Sequence, residues 1–263
     1  AVLVGDEAVL RPAMEEYGVA ERAQLVHADT PAEAVRRAVA IVREGSGYTL
    51  MKGLVNTEDF LRAVLDKENG LRTGRILSHL AVLEIPGEHH LSFCADSGFI
   101  IAPTLKEKKY IIANSPRAIH ALGYEHVNVA ILAANERVNP DMPATVDAAA
   151  LVEAWRAGEF DGLPCTCTIE GPMAIDVVAS KEAAERKGIR SVIAGKVDLT
   201  IVPSIECGNV HCKTLIHYCH AKSAGVVLGA KAPIILVSRT DDHETKFNAI
   251  ALSCLVAGGM HRC

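Results

Sequence analysis

The chain has 263 residues, 49% of them hydrophobic and 22% charged, so it carries enough apolar surface for one or two packed domains and is not disordered. A net charge of −5 excludes general affinity for nucleic acid but not a small anion gripped by a local arginine cluster. No apolar run approaches the roughly 20 residues that cross a bilayer, and the first residues show no basic-then-apolar leader pattern, so a cytoplasmic protein with its eight cysteines reduced is expected.

In chain order, Ala1–Val4 reads as a strand running into Gly5-Asp6, followed by a helix over Glu7–Tyr17. The chain thus opens without Met, and a strand–helix unit is expected to precede it in a complete fold of this kind. Leu25–His27 is a short strand, and Asp29-Thr30-Pro31 starts a helix that reaches Arg43, with Pro31 at a favourable first-turn position. Tyr48–Lys52 is a strand. The next helix is capped by Asn56 or Thr57 and carries Phe60, Leu61, Val64 and Leu65 on one face. Strands at Leu80–Glu84 and Leu91–Ala95 precede a helix over Leu105–Leu122. A strand at Val127–Ala133, a helix at Thr145–Trp155, a strand at Thr166–Glu170 and a helix at Lys181–Lys187 follow. The last part reads as a strand at Leu199–Val202, a helix at Gly208–Ser223, strands at Gly225–Leu228 and Ile234–Val237, and a helix at Thr245–Ala257. Strands and helices alternate almost throughout, which gives an α/β class. The Ala/Val/Ile-rich, aromatic-poor composition suits a parallel sheet wrapped by helices.

The segment from Ala230 to Asp242 is the most telling. A buried strand, Ile234–Val237, ends in Ser238-Arg239 and turns into an acidic helix start. A strand tip that opens a helix presents unpaired N–H groups and a partial positive charge to an anion, and an arginine adds a planar fork for phosphate oxygens. Asp241, Asp242 and Glu244 are candidate bases beside it. In Gly70-Leu71-Arg72-Thr73-Gly74-Arg75, two glycines bracket Arg72 and Thr73 and Arg75 follows, a pattern that suits either a phosphate grip or a solvated loop. Arg62, between Leu61 and Ala63, either aims into a cleft or snorkels along the core edge. Gly171-Pro172 is expected as a tight turn at a strand's carboxyl end, where α/β ligands collect, with Asp176 as a helix cap or a cleft residue. Ser204 to Asn209 follows another strand and opens a helix. Gly208-Asn209 suits a close backbone contact, with Lys213 one turn on along Asn209's face.

Cys207, His211, Cys212, His217, Cys219 and His220 crowd that helix without the paired tight spacings of a structural zinc site, so no metal is expected. Cys165 and Cys167 share one strand face and read as core thiols. His79 and His243 are candidate acid–base groups. Nucleophile-elbow, P-loop and dinucleotide fingerprints are missing from the sequence.

The strings MKGLVNTEDFLRAVL, KENGLRTGRILSH, EIPG, EGPMAID, PSIECGN and GAKAPIILVSR, in this order and spacing, resemble the phosphate acetyl/butyryl transferases over nearly the whole chain, and GLRTGR with EIPG lies nearer the butyryl branch. The resemblance implies an α/β fold of two α/β domains with a cleft between them, like the isocitrate and isopropylmalate dehydrogenases. One domain would comprise residues 1–115 plus 227–263 and the other residues 116–226. It implies an enzyme that moves a short acyl group, butyryl or similar, between CoA and inorganic phosphate. CoA and phosphate would be its substrates, with no cofactor, and the chain would form a homodimer or higher homo-oligomer. Ser238 and Arg239 match the family's strand-end pair near CoA and phosphate, and Arg62 matches a phosphate-binding arginine. The carboxylate found seven residues past the serine in the acetyl branch is Thr245 here, with Glu244 beside it, so Asp241 and Glu244 both stand as candidate bases. Arg62, Arg72, Thr73, Arg75, Gly171, Pro172, Glu206, Gly208, Asn209 and Lys213 complete the candidate phosphate and CoA contacts. Ser204 and Cys207 depart from the family's usual Asp and Ala. These departures keep open an alternative, a catalytically altered member that binds CoA or a metal.

Overall fold

Short polar caps set where the helices begin. In the computed structural model, which describes residues 1–237 and 241–260, β1 (Val2–Gly5) ends at Asp6, whose carboxylate accepts from Ala8 N and opens α1 (Glu7–Glu16). β2 (Gln24–His27) then pairs parallel to β1 in a separate two-stranded sheet. Thr30 caps α2 (Pro31–Arg43), with Pro31 in its first turn. Asn56 caps α3 (Thr57–Val64), which follows the two-residue strand β3 (Leu50–Met51). β4 (Ser78–Glu84) and β5 (Ser92–Ala95) lead to α4 (Leu105–Ala121), whose start is a capping box of Thr104 and Glu107.

β6 (His126–Leu132), α5 (Pro143–Arg156), β7 (Thr166–Met173), α6 (Ile175–Ala179) and α7 (Lys181–Arg186) follow. The remainder is β8 (Leu199–Ile201), α8 (Ile205–Cys219), β9 (Lys222–Leu228), β10 (Ile234–Ile235) and α9 (His243–Met260).

Eight strands form one sheet in the order β3-β10-β9-β4-β5-β8-β6-β7. It is mixed, not parallel as the composition suggested: β10–β9, β9–β4 and β4–β5 are antiparallel, and the other neighbours are parallel. Connection length accounts for two of these pairs: residues 85–91 and 229–233 are too few for the dozen or so that a parallel crossover needs, so β5 returns beside β4 and β10 beside β9.

Side chains alternate across this sheet. Leu80, Val82, Phe93, Ala95, Val226 and Leu228 face the core under α4, α5 and α9, whereas Ala81, Leu83 and Cys94 face Cys212 and Ala221 on the opposite side. Another apolar cluster packs α2 and α3 against Leu50, Leu71, Val227 and Ile234.

Several expected boundaries move. The helix expected over Gly208–Ser223 starts at Ile205 and stops at Cys219, because His220 takes a left-handed conformation (φ 56°) and the chain enters β9 at Lys222. Gly171-Pro172 is no turn. β7 runs through it to Met173, with a register shift against β6, and a Cβ on Gly171 would lie 2.8 Å from Ile131 Cβ. Asp176 does not cap a helix; the N-cap of α6 is Ala174, and Asp176 pairs with Lys187 at 2.8 Å.

α4 and α5 are tied by Lys108, whose ammonium is buried and lies 2.6 Å from Asp147. Removing one partner strands the other charge. Asp147→Ala is expected to lower unfolding free energy by about 3 kcal/mol, and the Lys108→Met/Asp147→Leu double variant to recover most of it, both read from urea denaturation.

Candidate active site

The chain turns sharply where β5 ends. Asp96 is buried, and its carboxylate gathers three backbone donors: Oδ1 accepts from Gly98 N at 2.9 Å and Phe99 N at 2.7 Å, and Oδ2 accepts from His79 N at 2.9 Å. This clamp fixes the Asp96-Ser97-Gly98 turn against the first residues of β4. Ser97 Oγ then lies 2.9 Å from His79 Nδ1. His79 shares the parity of Ala81 and Leu83, so it projects to the α8 face of the sheet. Glycines make room for the ring. A Cβ at Gly225 would fall 2.7 Å from His79 Nε2, and one at Gly98 would fall 3.4 Å from Nδ1. Burial lowers the His79 pKa, while the carboxylates of Asp96 and Asp241 pull it back up.

A thiol chain continues from this point. Cys212 on α8 shares hydrogen bonds with Cys94 and Ser97, which favour its thiolate. The hydrogen bond to Cys212, then burial, pushes Cys94 well up. α8 sits directly on the turn: a Cβ at Gly208 would meet Ser97 Cα at 2.7 Å and Asp96 O at 2.9 Å. The close backbone approach expected at Gly208 is therefore present, and its partner is the protein's own turn.

Ser238 and Arg239 lie outside the described residues. Of the acidic residues that follow, Asp241 is near enough to His79 for its charge to favour the imidazolium. Asp242 accepts from Thr245 N at 2.7 Å at the start of α9, and that bond holds its carboxyl below the usual range. Glu244 pairs with Lys222 at 3.0 Å, and both are exposed. His243, exposed, begins α9.

The arginines divide among different places. Arg62 is 70% exposed and is held by Glu58 at 2.8 Å and Asp59 at 3.3 Å, one turn back on its own helix. It lines a groove of about 440 Å³ between α2 and α3 with Arg36, Arg43 and Asp66. Arg72 pairs through its backbone with Ala230, and the Thr73 hydroxyl donates to Gly229 O at 2.5 Å, so this loop is stitched to the segment after β9. Arg75 lines a different cavity, of about 170 Å³, against α4 and α9. Among the described residues, then, Arg62 and Arg75 share no cavity.

Glu206, Asn209 and Lys213 are exposed on α8, and a hydrogen bond from Ser204 lowers the Glu206 pKa. The Cys/His residues of α8 do not converge: Cys212 is buried, whereas His217, Cys219 and His220 are exposed. Among the described residues no group of three or more His, Cys, Asp or Glu could hold a metal ion, so the metal-binding alternative lacks a ligand set there. Also among them, no helix is long and apolar enough to cross a membrane.

Sequence reasoning picked out His79 but missed Asp96 and Ser97. The available signal was Asp-Ser-Gly directly after a buried strand, a turn tripeptide whose side chains bond nearby backbone.

A half-buried imidazole whose charge is favoured by the carboxylates of Asp96 and Asp241 suits proton transfer next to an anion. Comparison with known proteins gives that chemistry its class. The chain is 43% identical to a phosphate butyryltransferase of Clostridium acetobutylicum over 98% of its length and 85% of the relative. It is also 43% identical to a phosphate acetyltransferase of Thermotoga maritima, over 86% of this chain and 76% of that one. A crystal structure of a branched-chain phosphotransacylase from Enterococcus faecalis V583 superposes with a TM-score of 0.82 at 28% identity, covering 97% of this chain and 98% of that chain. The protein is an enzyme, an acyltransferase with a mixed α/β fold similar to that structure. Residues 19–254 match the phosphate acetyl/butaryl transferase family, and the chain belongs to it.

Adding a methyl group at Gly208 would force α8 off the Asp96 turn. Gly208→Ala is expected to cost about 1–3 kcal/mol of stability, measured by urea unfolding, and to reduce turnover in enzyme that remains folded. The lowered His79 pKa has a definite sign. As pH falls below its ordinary value of 6.5, the unfolded chain takes up the proton first, so stability declines toward the folded pKa. His79→Gln should flatten this decline, and equal slopes for wild type and variant in unfolding measured from pH 7.5 to 5.5 would remove His79 as its source.

Proposed function

We propose that the protein catalyses the reversible reaction acyl-CoA + phosphate = acyl phosphate + CoA on a short acyl group, butyryl or similar. The observation that carries the reading is a carboxylate, Asp241, beside the clamped His79 at the point where the β10 strand end leads into α9. Family membership supplies the reaction. The helix start adds a partial positive charge suited to an oxyanion.

In the thiol-attack direction, the CoA sulfur, with an ordinary pKa of about 8.5, loses its proton to a carboxylate base as it bonds to the acyl carbon. The C–O bond to phosphate breaks, and inorganic phosphate leaves with the electron pair. We assign the base to Asp241. Its charge acts on His79, whereas Asp242 accepts from Thr245 N of the helix backbone and Glu244 pairs with Lys222. Ser238 and Arg239 are assigned to the departing phosphate and to CoA on the strength of the strand-end motif, with Arg72 as a further anion contact. Charge on the leaving oxygen would be offset by these donors. The division into two domains with a dehydrogenase-like cleft, a homodimeric or larger assembly, and a cytoplasmic setting belong to the same proposal.

The direct test mixes protein, phosphate and acyl-CoA from acetyl to hexanoyl and follows thiol release with a chromogenic disulfide. Butyryl-CoA or a neighbour in length is expected to give the highest kcat/KM. No thiol release from any substrate, with CoA still bound, would favour a catalytically altered member instead. Asp241→Asn is expected to lower kcat about 100-fold, whereas Glu244→Gln, which breaks only an exposed pair, stays within about threefold of wild type. The opposite ranking moves the base to Glu244.

A further inference from the structure

Sheet parity separates two sites. His79 faces α8, but its neighbour Ser78 is turned to the other face, where its hydroxyl accepts from Asn114 of α4 at 3.0 Å. On that second face the 170 Å³ cavity is enclosed by α4, α9 and residues 228–233. Three of its lining residues can carry positive charge: Arg75, and Arg117 and His120 one turn apart on α4. None of the lining residues is Asp or Glu.

Arg75 is the anomaly. Its Nε is buried and has no hydrogen-bond acceptor among the described residues. Burial, then the nearby Arg117 charge, lowers its pKa. Among the described residues, two guanidinium groups have been brought together without a carboxylate, and a buried charged donor left without an acceptor is costly. An acceptor with negative charge reverses both penalties. His120 is oriented for the same purpose: Nδ1 lies 3.0 Å from Tyr124 O, so it carries the hydrogen and leaves Nε2 as the atom that gains a proton beside an anion. Arg117 is braced by donation to Gly162 O at 3.1 Å, which positions its fork. The adjacent Cys165 reports the same field. Its thiol is lowered to about 7 by the hydrogen bond from Cys167 and by the positive charges of His120 and Arg117, against the effect of burial.

We propose that Arg75, Arg117 and His120 form a second anion site that takes a free tetrahedral oxyanion, inorganic phosphate or sulfate, on the sheet face opposite His79. The volume is several times that of a liquid water, about 30 Å³, so the oxyanion enters with part of its hydration shell. The site does not depend on the acyl-transfer reading, since none of its three side chains contacts the His79 cluster.

The test follows the carbon-bound imidazole protons of His120 by NMR while sulfate is added at constant ionic strength. In the wild type, sulfate is expected to shift the His120 resonances along a saturable curve. In Arg117→Gln the midpoint should weaken about tenfold or more, from loss of one charge-assisted contact. Circular dichroism checks that the variant is folded, and if it is not, Arg75→Lys takes its place, since it keeps the charge but loses the fork and Nε. His120 resonances that sulfate does not move, or moves equally in wild type and variant, overturn the site. Displacement of sulfate by CoA at concentrations where inorganic phosphate has no effect assigns the cavity to a nucleotide phosphate and overturns the free-oxyanion assignment. Because the signal is His120 itself, a null result here leaves thiol release from acyl-CoA untouched, and the reverse also holds.

Discussion

One carboxylate accepting three backbone N–H groups organises the region around β4, β5 and α8. Asp96 joins the end of β5 to the second residue of β4 and closes the turn through Phe99. Buried polar groups are costly unless satisfied, and here one carboxylate satisfies three donors at once, so the turn has little freedom to rearrange. Ser97 is held against His79 as a consequence, and α8 approaches closely only because Gly208 has no side chain. Moving any one of these parts would disturb the others.

The mixed sheet gives this region its two faces. Because successive residues of a strand point to opposite faces, Ser78 and His79 of β4 are committed to opposite layers, one to α4 and the other to α8. Side-chain alternation thereby places an imidazole with carboxylates on one side of a single strand and, among the described residues, a cluster of cations without carboxylates on the other. The two environments have opposite electrostatic character, although they are separated by one backbone layer.

The acidic helix start shows how environment distinguishes like residues. Asp241, Asp242 and Glu244 are nearly equivalent as letters in a string. One is near enough to the half-buried His79 for its charge to act on the ring, one is bound to the helix backbone, and one sits in a solvent-exposed ion pair. Hydrogen bonds and nearby charges change what a carboxylate can do, so the roles open to these three are a property of position, not of residue type.

Local patterns made much of the architecture legible in the sequence. Thr30-Pro31 and Asn56 mark helix starts through capping chemistry that acts within four residues, and short apolar runs locate β4, β6 and β9 because they report burial directly. The family resemblance rests on ordered strings and needed no coordinates. Strand direction, the passage of β7 through Gly171-Pro172, and the early stop of α8 at His220 were decided by connection length and by packing between distant segments. The same holds for the candidate site. Sequence could nominate His79 and the arginines by type. It could not show that Arg62 would bind to Glu58 and Asp59 of its own helix, or that Asp96, separated from His79 by a whole hairpin, would clamp its backbone. Residue type fixes which charges and donors exist, whereas their partners depend on through-space distances that only the folded chain sets.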